Sequence, residues 1–442
     1  MQVHAITPLP RVEVSAKGPD LTSRAGTALL SGLCDKLGLT DGLTAALHVH
    51  SRTVRHEPGR VARDLAVVLA DGGDCLADLG ALRDQQVLFG PVASEATAYR
   101  CLERLDAVAL SGIRAARAAA RRRAWELGGA PRRIVLDLDA TLVTAHSEKE
   151  GAAGNYKGGF GFHPLLCCEA ASGEALAGVL RPGNAGANTA SDHVALLELA
   201  LAQLPQGAAS RGTLVRCDSA GATHAFLEAV VAKGLAFSVG CELSQRLRAA
   251  ILALPERAWS PALDSVGGER EGAWVAELPL ELSSWPEGTR ALCRRERPHP
   301  GAQLSFSDAD GHRFQVMLTN QQGQRLARLE QVHRQRAAIE DAIRCGKASG
   351  LRNLPFRAYA MHAAWLELVL VGSDLLAWTR RLLLAGTTLA SCEPKRLRYR
   401  LLHVAGRLVR HARSLRLRLS PSWPWAQHLA CAFTCLQALP SG

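Results

Sequence analysis

The stretch Ile134–Val143 reads IVLDLDATLV, an apolar run that ends in two aspartates one residue apart and then a threonine. The aliphatic first half predicts a strand. Side chains alternate between the faces of a strand, so Asp137 and Asp139 point the same way and Thr141 continues their row. Two carboxylates on one strand edge pack poorly but hold hard cations well. The same residues also suit a covalent mechanism, with Asp137 as nucleophile on phosphorus and Asp139 as acid and base. A strand that simply ends in polar residues is the plain alternative. Ten residues do not separate these readings; their surroundings do.

Outward from this strand, the Gly-rich stretch KEGAAGNYKGGFGFHP leads to two short strands around Pro164–Cys168 and Ala175–Leu180, separated by the turn ASGE. Then come the loop RPGNAGANTASD, a helix from about Asp192 to Gln203, the strand TLVRC ending at Asp218, the helix HAFLEAVVAKG and the strand LAFSVG. Three hairpin-linked strands followed by helix, strand, helix, strand predict a mixed sheet. That order resembles RNase H-like domains. From Glu242 to Leu318 the chain turns rich in Pro, Gly, Trp and short alternating strands, which predicts a β-rich insertion, and a helical segment from Gly323 to Lys347 follows. The expected class is α/β: an RNase H-like mixed sheet interrupted by a β-rich insertion, with helical N- and C-terminal regions. We divide it as 1–128 (helical, DNA-binding), 129–241 (catalytic, first part), 242–318 (insertion), 319–380 (catalytic, second part, with Glu340) and 381–442 (basic, helical).

At 442 residues the chain is too long for one ordinary core. Its 48% hydrophobic and 21% charged residues are those of a globular protein. A net charge of +11 suits either a polyanionic partner or plain solubility. The first twenty residues carry no basic patch followed by an apolar run, so no signal peptide is expected. The apolar stretch WLELVLVGSDLLAW is broken by Glu367, Ser373 and Asp374, so no membrane span is expected either. Twelve cysteines without a C-x-x-C pair read as buried thiols, and a cytoplasmic location is expected.

Two further pieces bear on the opening strand. Asp218 ends a buried-looking strand, at the carboxyl edge where α/β sheets collect ligands, although capping the next helix explains it nearly as well. In QVHRQRAAIEDAIRCGK, with His333 at zero, Arg336, Glu340 and Lys347 fall near about 300°, 340° and 320° on an α-helix. One carboxylate flanked by cations is a poor core face; a solvated, salt-bridged face is the alternative. Asp, Asp and Glu from two strands and a helix can hold two divalent cations for in-line displacement at phosphorus, with Arg336 and Lys347 gripping flanking phosphates.

The spacing His333-x2-Arg336-x3-Glu340-x6-Lys347 resembles the Y-x2-R-x3-E-x6-K signature of DDE transposases from bacterial insertion sequences, with His in place of Tyr. LDLDATLV, NYKGGFGFHPL, LRPGNA, LVRCDSA and LRNLPFRAYAMHAAWL resemble the insertion-sequence 1380 group in particular, from about Arg55 to the C-terminus. The resemblance implies a cut-and-paste transposase using two Mg2+ (or Mn2+) ions, with Asp139 or Asp137 as first ligand and Asp218 and Glu340 as the others. It implies double-stranded DNA as partner, both element ends and target, and a homodimer on DNA.

Around these residues, Asn155, Tyr156 and Lys157 are candidates for the DNA end, and Asn184 for steadying a loop. Arg396, Arg398, Arg400, Arg407, Arg410 and Arg413 are candidates for tracking a backbone. Ser94, Thr97 and Arg100 belong to a capped helix suited to reading DNA or to packing in a bundle. Trp259, Trp274 and Trp285 suit either base stacking or a core. A haloacid-dehalogenase-type phosphatase needs a late acidic pair after a strand; SDADG near Asp308 lacks that strand and spacing. A DNA-binding descendant that no longer cuts stays open, with His333 and His362 as departures from the related pattern.

Overall fold

The computed structural model describes residues 20–48, 55–209, 212–298, 301, 303, 308–411 and 414–441. Helices α1 (Ala28–Lys36), α2 (Leu39–Ala46), α3 (Pro58–Ala70), α4 (Glu95–Glu103) and α5 (Ala107–Ala124) precede β1 (Val135–Ala140), β2 (Leu165–Glu169) and β3 (Ala175–Val179). Then come α6 (Ala190–Ala202), β4 (Leu214–Cys217), α7 (His224–Ala232) and β5 (Ala236–Cys241). The next strands are β6 (Ser260–Leu263), β7 (Glu269–Leu278), β8 (Arg290–Glu296) and β9 (His312–Thr319). Helices α8 (Leu326–Arg334), α9 (Ala338–Gly346) and α10 (Tyr359–Trp378) lead to β10 (Gly406–His411), β11 (Ser414–Leu419) and α11 (Ala426–Ala438).

One mixed sheet dominates, in the order β6-β7-β8-β9-β5-β4-β1-β2-β3. The pairs β1–β2 and β2–β3 are antiparallel, while β1–β4 and β4–β5 are parallel. The mixed sheet and its flanking helical regions therefore form as the sequence leads one to expect. The stretch from 242 to 318 is β-rich, and its strands extend this sheet: β9 pairs antiparallel with β5, Leu318 opposite Val239.

The pleat of β1 explains how a site arises at its end. Leu136 and Leu138 are fully buried and pack with Leu196, Leu197, Phe226 and Leu227 of α6 and α7. Asp137 and Asp139 pair with Cys168 and Leu166 of β2, on the opposite face that α10 covers through Leu366 and Leu370. Polar side chains thus sit on a helix-covered face, and only the strand's carboxyl end gives them access to solvent.

Helix α10 carries the apolar stretch noted above. Tyr359–Leu383 is long and apolar enough to cross a membrane, but 83% of its most apolar window is buried within the protein, as in a core helix. Gly372 lets α10 cross α3 closely; a Cβ there would lie 2.9 Å from the Ala66 carbonyl oxygen. Gly350, with φ +99°, ends the helical turn that follows α9 in a conformation costly for other residues.

Two elements differ from the reading of the sequence. The segment from 323 to 347 is two helices, α8 and α9, joined by a 3-10 turn at Gln335–Ala337. Three residues per turn instead of 3.6 re-aims everything after it, so angles computed along one ideal helix do not carry through. Within the helical C-terminal region, the Arg-rich stretch forms the hairpin β10–β11, whose inner strand pairs with Leu21–Thr22. Strict alternation in Arg407-Leu408 and Leu415–Leu419 has period two, the strand signal that the basic composition concealed.

Candidate active site

The ladder between β1 and β4 sets the site. Asp137 lies opposite Arg216, the last pair of the parallel ladder, and two residues beyond it on each strand come Asp139 and Asp218, close enough for the charge of one to act on the other. Adjacent strands lie about 4.8 Å apart, so the two carboxylates share one face and one edge. Burial pushes the Asp139 carboxyl above its ordinary range; Arg336 opposes this and the charge of Asp218 adds to it.

The neighbouring pair behaves differently. Arg216 grips Asp137 in a two-pronged bond, Nε to Oδ1 at 2.6 Å and Nη2 to Oδ2 at 2.7 Å, and both side chains are nearly fully buried. A third bond from Arg216 goes to the Val332 carbonyl, tying β1 and β4 to the end of α8. Both oxygens of Asp137 are therefore taken. Asp139 remains 18% exposed, with Oδ1 accepting from the Ala140 N–H at 2.8 Å and Oδ2 from Arg336 at 3.2 Å. Asp218 Oδ1 accepts from the Ala220 N–H at 3.0 Å, the capping role foreseen as an alternative, and Oδ2 has no hydrogen-bond partner among the described residues.

The break between α8 and α9 distributes the helix residues. His333 Nδ1 meets Ser238 Oγ at 2.9 Å, and burial together with the cations of Arg336, Arg216 and Arg294 holds its pKa down to about 3, so it is neutral. Arg336 reaches Asp139, and Lys347 donates to the Leu142 carbonyl at 3.0 Å, just beyond β1. Glu340 opens α9, which packs on β1; it is exposed and has no hydrogen-bond or ion-pair partner among the described residues. His333, Arg336 and Asp218 line a cavity of about 340 Å3 with Gly240, Glu330 and Arg294. Among the described residues, three ligand atoms lie within 4.8 Å of one another only at Asp74, Cys75 and Asp78. The carboxylates of Asp139, Asp218 and Glu340 form no such group.

Other candidates divide by exposure. Asn155 shapes the tip of a small hairpin by accepting the N–H groups of Lys157 and Gly159 at 3.0 and 3.1 Å. Tyr156 is 75% exposed, with the Lys157 ammonium 5.6 Å from its ring centre. Burial, and after it the charge of Lys157, lowers the pKa of Lys347. Asn184 is exposed. Arg396, Arg407 and Arg410 are exposed, Arg400 lies 4.8 Å from the ring centre of Trp425, and Arg413 lies outside the described residues. Arg398 is not placed to meet a backbone: it is buried, donating to the Ala70 and Ala348 carbonyls and to Ser349 Oγ, where a guanidinium satisfies three acceptors at the junction of α3 and α9. Ser94 caps α4, and Thr97 and Arg100 border a cleft with Arg55, Arg83 and Arg104. The tryptophans already have partners: Arg295 lies 4.4 Å from Trp259 and 4.9 Å from Trp274, and Trp285 stacks on His224.

Two residues escaped the sequence reading. Arg216 is a lone cation inside an apolar strand, and its place two residues before Asp218 puts it on the aspartate face, a usable signal. Ser238 gave none.

His362 is fully buried between the rings of Phe162 and Phe356, and burial pushes its imidazole down to about 4. The unfolded chain takes up this proton near pH 6.5, so stability falls as pH drops from about 6.5 to about 4, by on the order of 3 kcal/mol. We expect His362→Leu to flatten the urea-midpoint profile across that window. An equal acid loss in both proteins would remove His362 as its source.

A family model described as "Transposase DDE domain group 1" matches residues 5–441. Among solved structures, the cryo-EM structure of a piggyBac transposase synaptic complex with hairpin DNA aligns at a TM-score of 0.44 and 11% identity, covering 86% of this chain and 79% of that one. The comparison with curated proteins gave no match.

Proposed function

Because the chain belongs to the transposase DDE domain group 1 family, we propose that it carries out cut-and-paste transposition of an insertion sequence of the 1380 group. The reaction is hydrolysis at the element ends, followed by attack of the freed 3′-hydroxyl on target DNA. The observation that carries this reading is that Asp139 and Asp218 follow the parallel ladder of β1 and β4 at the same strand edge, near enough for the charge of Asp218 to act on Asp139.

The residues fit divalent cations. Asp139, Asp218 and Glu340 offer oxygen donors only, as Mg2+ and Mn2+ prefer, and Asp218 and Glu340 retain unpartnered oxygens among the described residues. We assign Asp139 rather than Asp137 as first ligand, because Arg216 occupies both oxygens of Asp137. Held there as a pair, such ions would supply activation of the attacking oxygen and stabilisation of the leaving one.

The chain's own part is charge and position. Arg336, which bonds Asp139, would take a phosphate of the bound strand, and Lys347, on the Leu142 carbonyl just beyond β1, adds positive charge to that of Lys157. His333, being neutral, serves as a hydrogen-bonding group and not as a phosphate counter-charge. Tyr156 and Lys157, at an exposed tip held by Asn155, meet the DNA end. Arg396, Arg400 and Arg407 and the cleft beside α4 contact the flanking duplex, and two copies pair the two ends. Action on DNA places the protein in the cytoplasm, on the nucleoid.

One observation favours a second reading, a DNA-binding descendant that no longer cuts: Asp139, Asp218 and Glu340 do not bring three ligand atoms within 4.8 Å of one another. A single assay decides. The purified chain is given a supercoiled plasmid carrying the two DNA flanks of its own gene. We expect Mg2+-dependent cleavage at the flank ends, abolished by EDTA and restored by Mn2+. Tight binding of those flanks without cleavage under either metal would overturn the enzymatic reading in favour of the second.

A further inference from the structure

From Pro394 to Gly442 the chain carries nine Lys and Arg and no Asp or Glu, against 52 and 41 in the whole chain. Within that stretch the hairpin β10–β11 sorts its residues by face. Leu408 is buried, and Leu417 and Leu419 pack against the helical core. The opposite face presents Arg407, Arg416 and Arg418, all exposed.

Their arrangement is costly. Arg407 lies directly opposite Arg418, and Arg416 opposite Val409. Like charges facing each other across a ladder destabilise a hairpin. Other strand arginines of this protein are neutralised: Arg290 by Glu277, Arg294 by Glu330 and Arg313 by Asp308. Among the described residues, Arg407, Arg416 and Arg418 have no carboxylate and no hydrogen-bond acceptor. Three guanidiniums without a carboxylate on one face of a half-apolar ribbon suit an anion whose charges repeat along a line.

We propose that the outer face of this hairpin is a docking surface for the phosphate backbone of duplex DNA, with Arg407, Arg416 and Arg418 each taking one phosphate. At Leu408, Leu417 and Leu419 the inner face is committed to the core, so this part of the ribbon lies along the backbone and does not enter a groove. It supplies affinity without sequence preference. The proposal rests on the DNA-acting reading above and adds to it a place on the molecule, remote in sequence from the carboxylates.

The test is the salt dependence of binding to a 30-base-pair duplex of arbitrary sequence. Each phosphate neutralised adds about 0.9 to the slope of log K against log salt. The triple variant Arg407→Gln, Arg416→Gln, Arg418→Gln should bind with a slope shallower by roughly 2.7 and with an unchanged or higher melting temperature. The matching triple Lys variant should restore the slope. A full-length protein with no salt-dependent duplex binding overturns the DNA-acting reading and this proposal with it. Binding by the full-length protein with the slope unchanged in the Gln variant overturns the proposal alone. A Gln variant that keeps the duplex slope but loses binding to polyglutamate assigns the face to an acidic protein, which also overturns it.

Discussion

Asp139→Asn will abolish end cleavage while leaving the protein folded, whereas Asp137→Asn will lower the stability of the fold. The two aspartates are one residue apart on the same face of one strand, yet their surroundings separate them. Asp139 is 18% exposed and bonds Arg336, itself 19% exposed, so an amide in its place leaves no charge sealed from water. What is lost is an anionic oxygen donor, and a loss of about 1,000-fold or more in cleavage rate is expected, equivalent to roughly 4 kcal/mol of barrier. Asp137 is 1% exposed and faces a guanidinium 3% exposed. Its amide leaves Arg216 buried with half a partner, and breaking a buried ion pair from one side costs about 3–5 kcal/mol. The pair of measurements is cleavage rate and urea midpoint for each variant. A stable, inactive Asp137→Asn together with an active Asp139→Asn would reverse the assignment and restore Asp137 as the first ligand.

That contrast also marks how far the sequence carries. The faces of β1, the order of the five central strands and the placing of Asp218 at a strand end follow from period-two alternation and turn chemistry, which are local. The choice between Asp137 and Asp139 is not local, because it depends on which residue of β4 comes alongside. Arg216 was visible in LVRC, but only the register makes it the partner of Asp137. The segment holding His333, Arg336, Glu340 and Lys347 was legible as helical. Its break at Gln335–Ala337 was not, since no Gly or Pro marks it. The two ends of the Arg-rich C-terminal stretch illustrate the same limit. Arg398 and Arg407 look alike as residues, and only tertiary packing buries one under α3 and leaves the other on a hairpin face.

A second large effect is expected far from the site. Arg121→Met should unfold the protein or lower its stability by about 3–5 kcal/mol, a large share of the 5–15 kcal/mol typical of a folded domain. In sequence, RAARAAARRRAWEL is a basic run and Glu367 and Asp374 are interruptions of an apolar one. In the fold they are partners. Arg121 bonds Glu174 at 3.1 Å, Gln203 at 2.7 Å and Asp374; Arg117 bonds Glu367 and Asp374, each at 3.2 Å. The indole N–H groups of Trp378 and Trp125 complete the shell of Glu174 at 2.6 and 2.9 Å. This network joins α5 to α10 and to the start of β3, so it fixes the N-terminal helices against the edge of the large sheet. Methionine fills much of the volume of arginine but takes the shared cation from two buried carboxylates, leaving Asp374 with Arg117 and Glu174 with the two indoles. Removing both partners avoids that penalty, so Arg121→Met combined with Asp374→Leu should regain part of the loss, as replacing a whole buried pair often does. Chemical denaturation of the two single variants and the double variant measures the coupling. Single variants whose losses simply add in the double would mean that Arg121 and Asp374 do not act as a pair, and the N-terminal helices would then owe their docking to apolar contact alone.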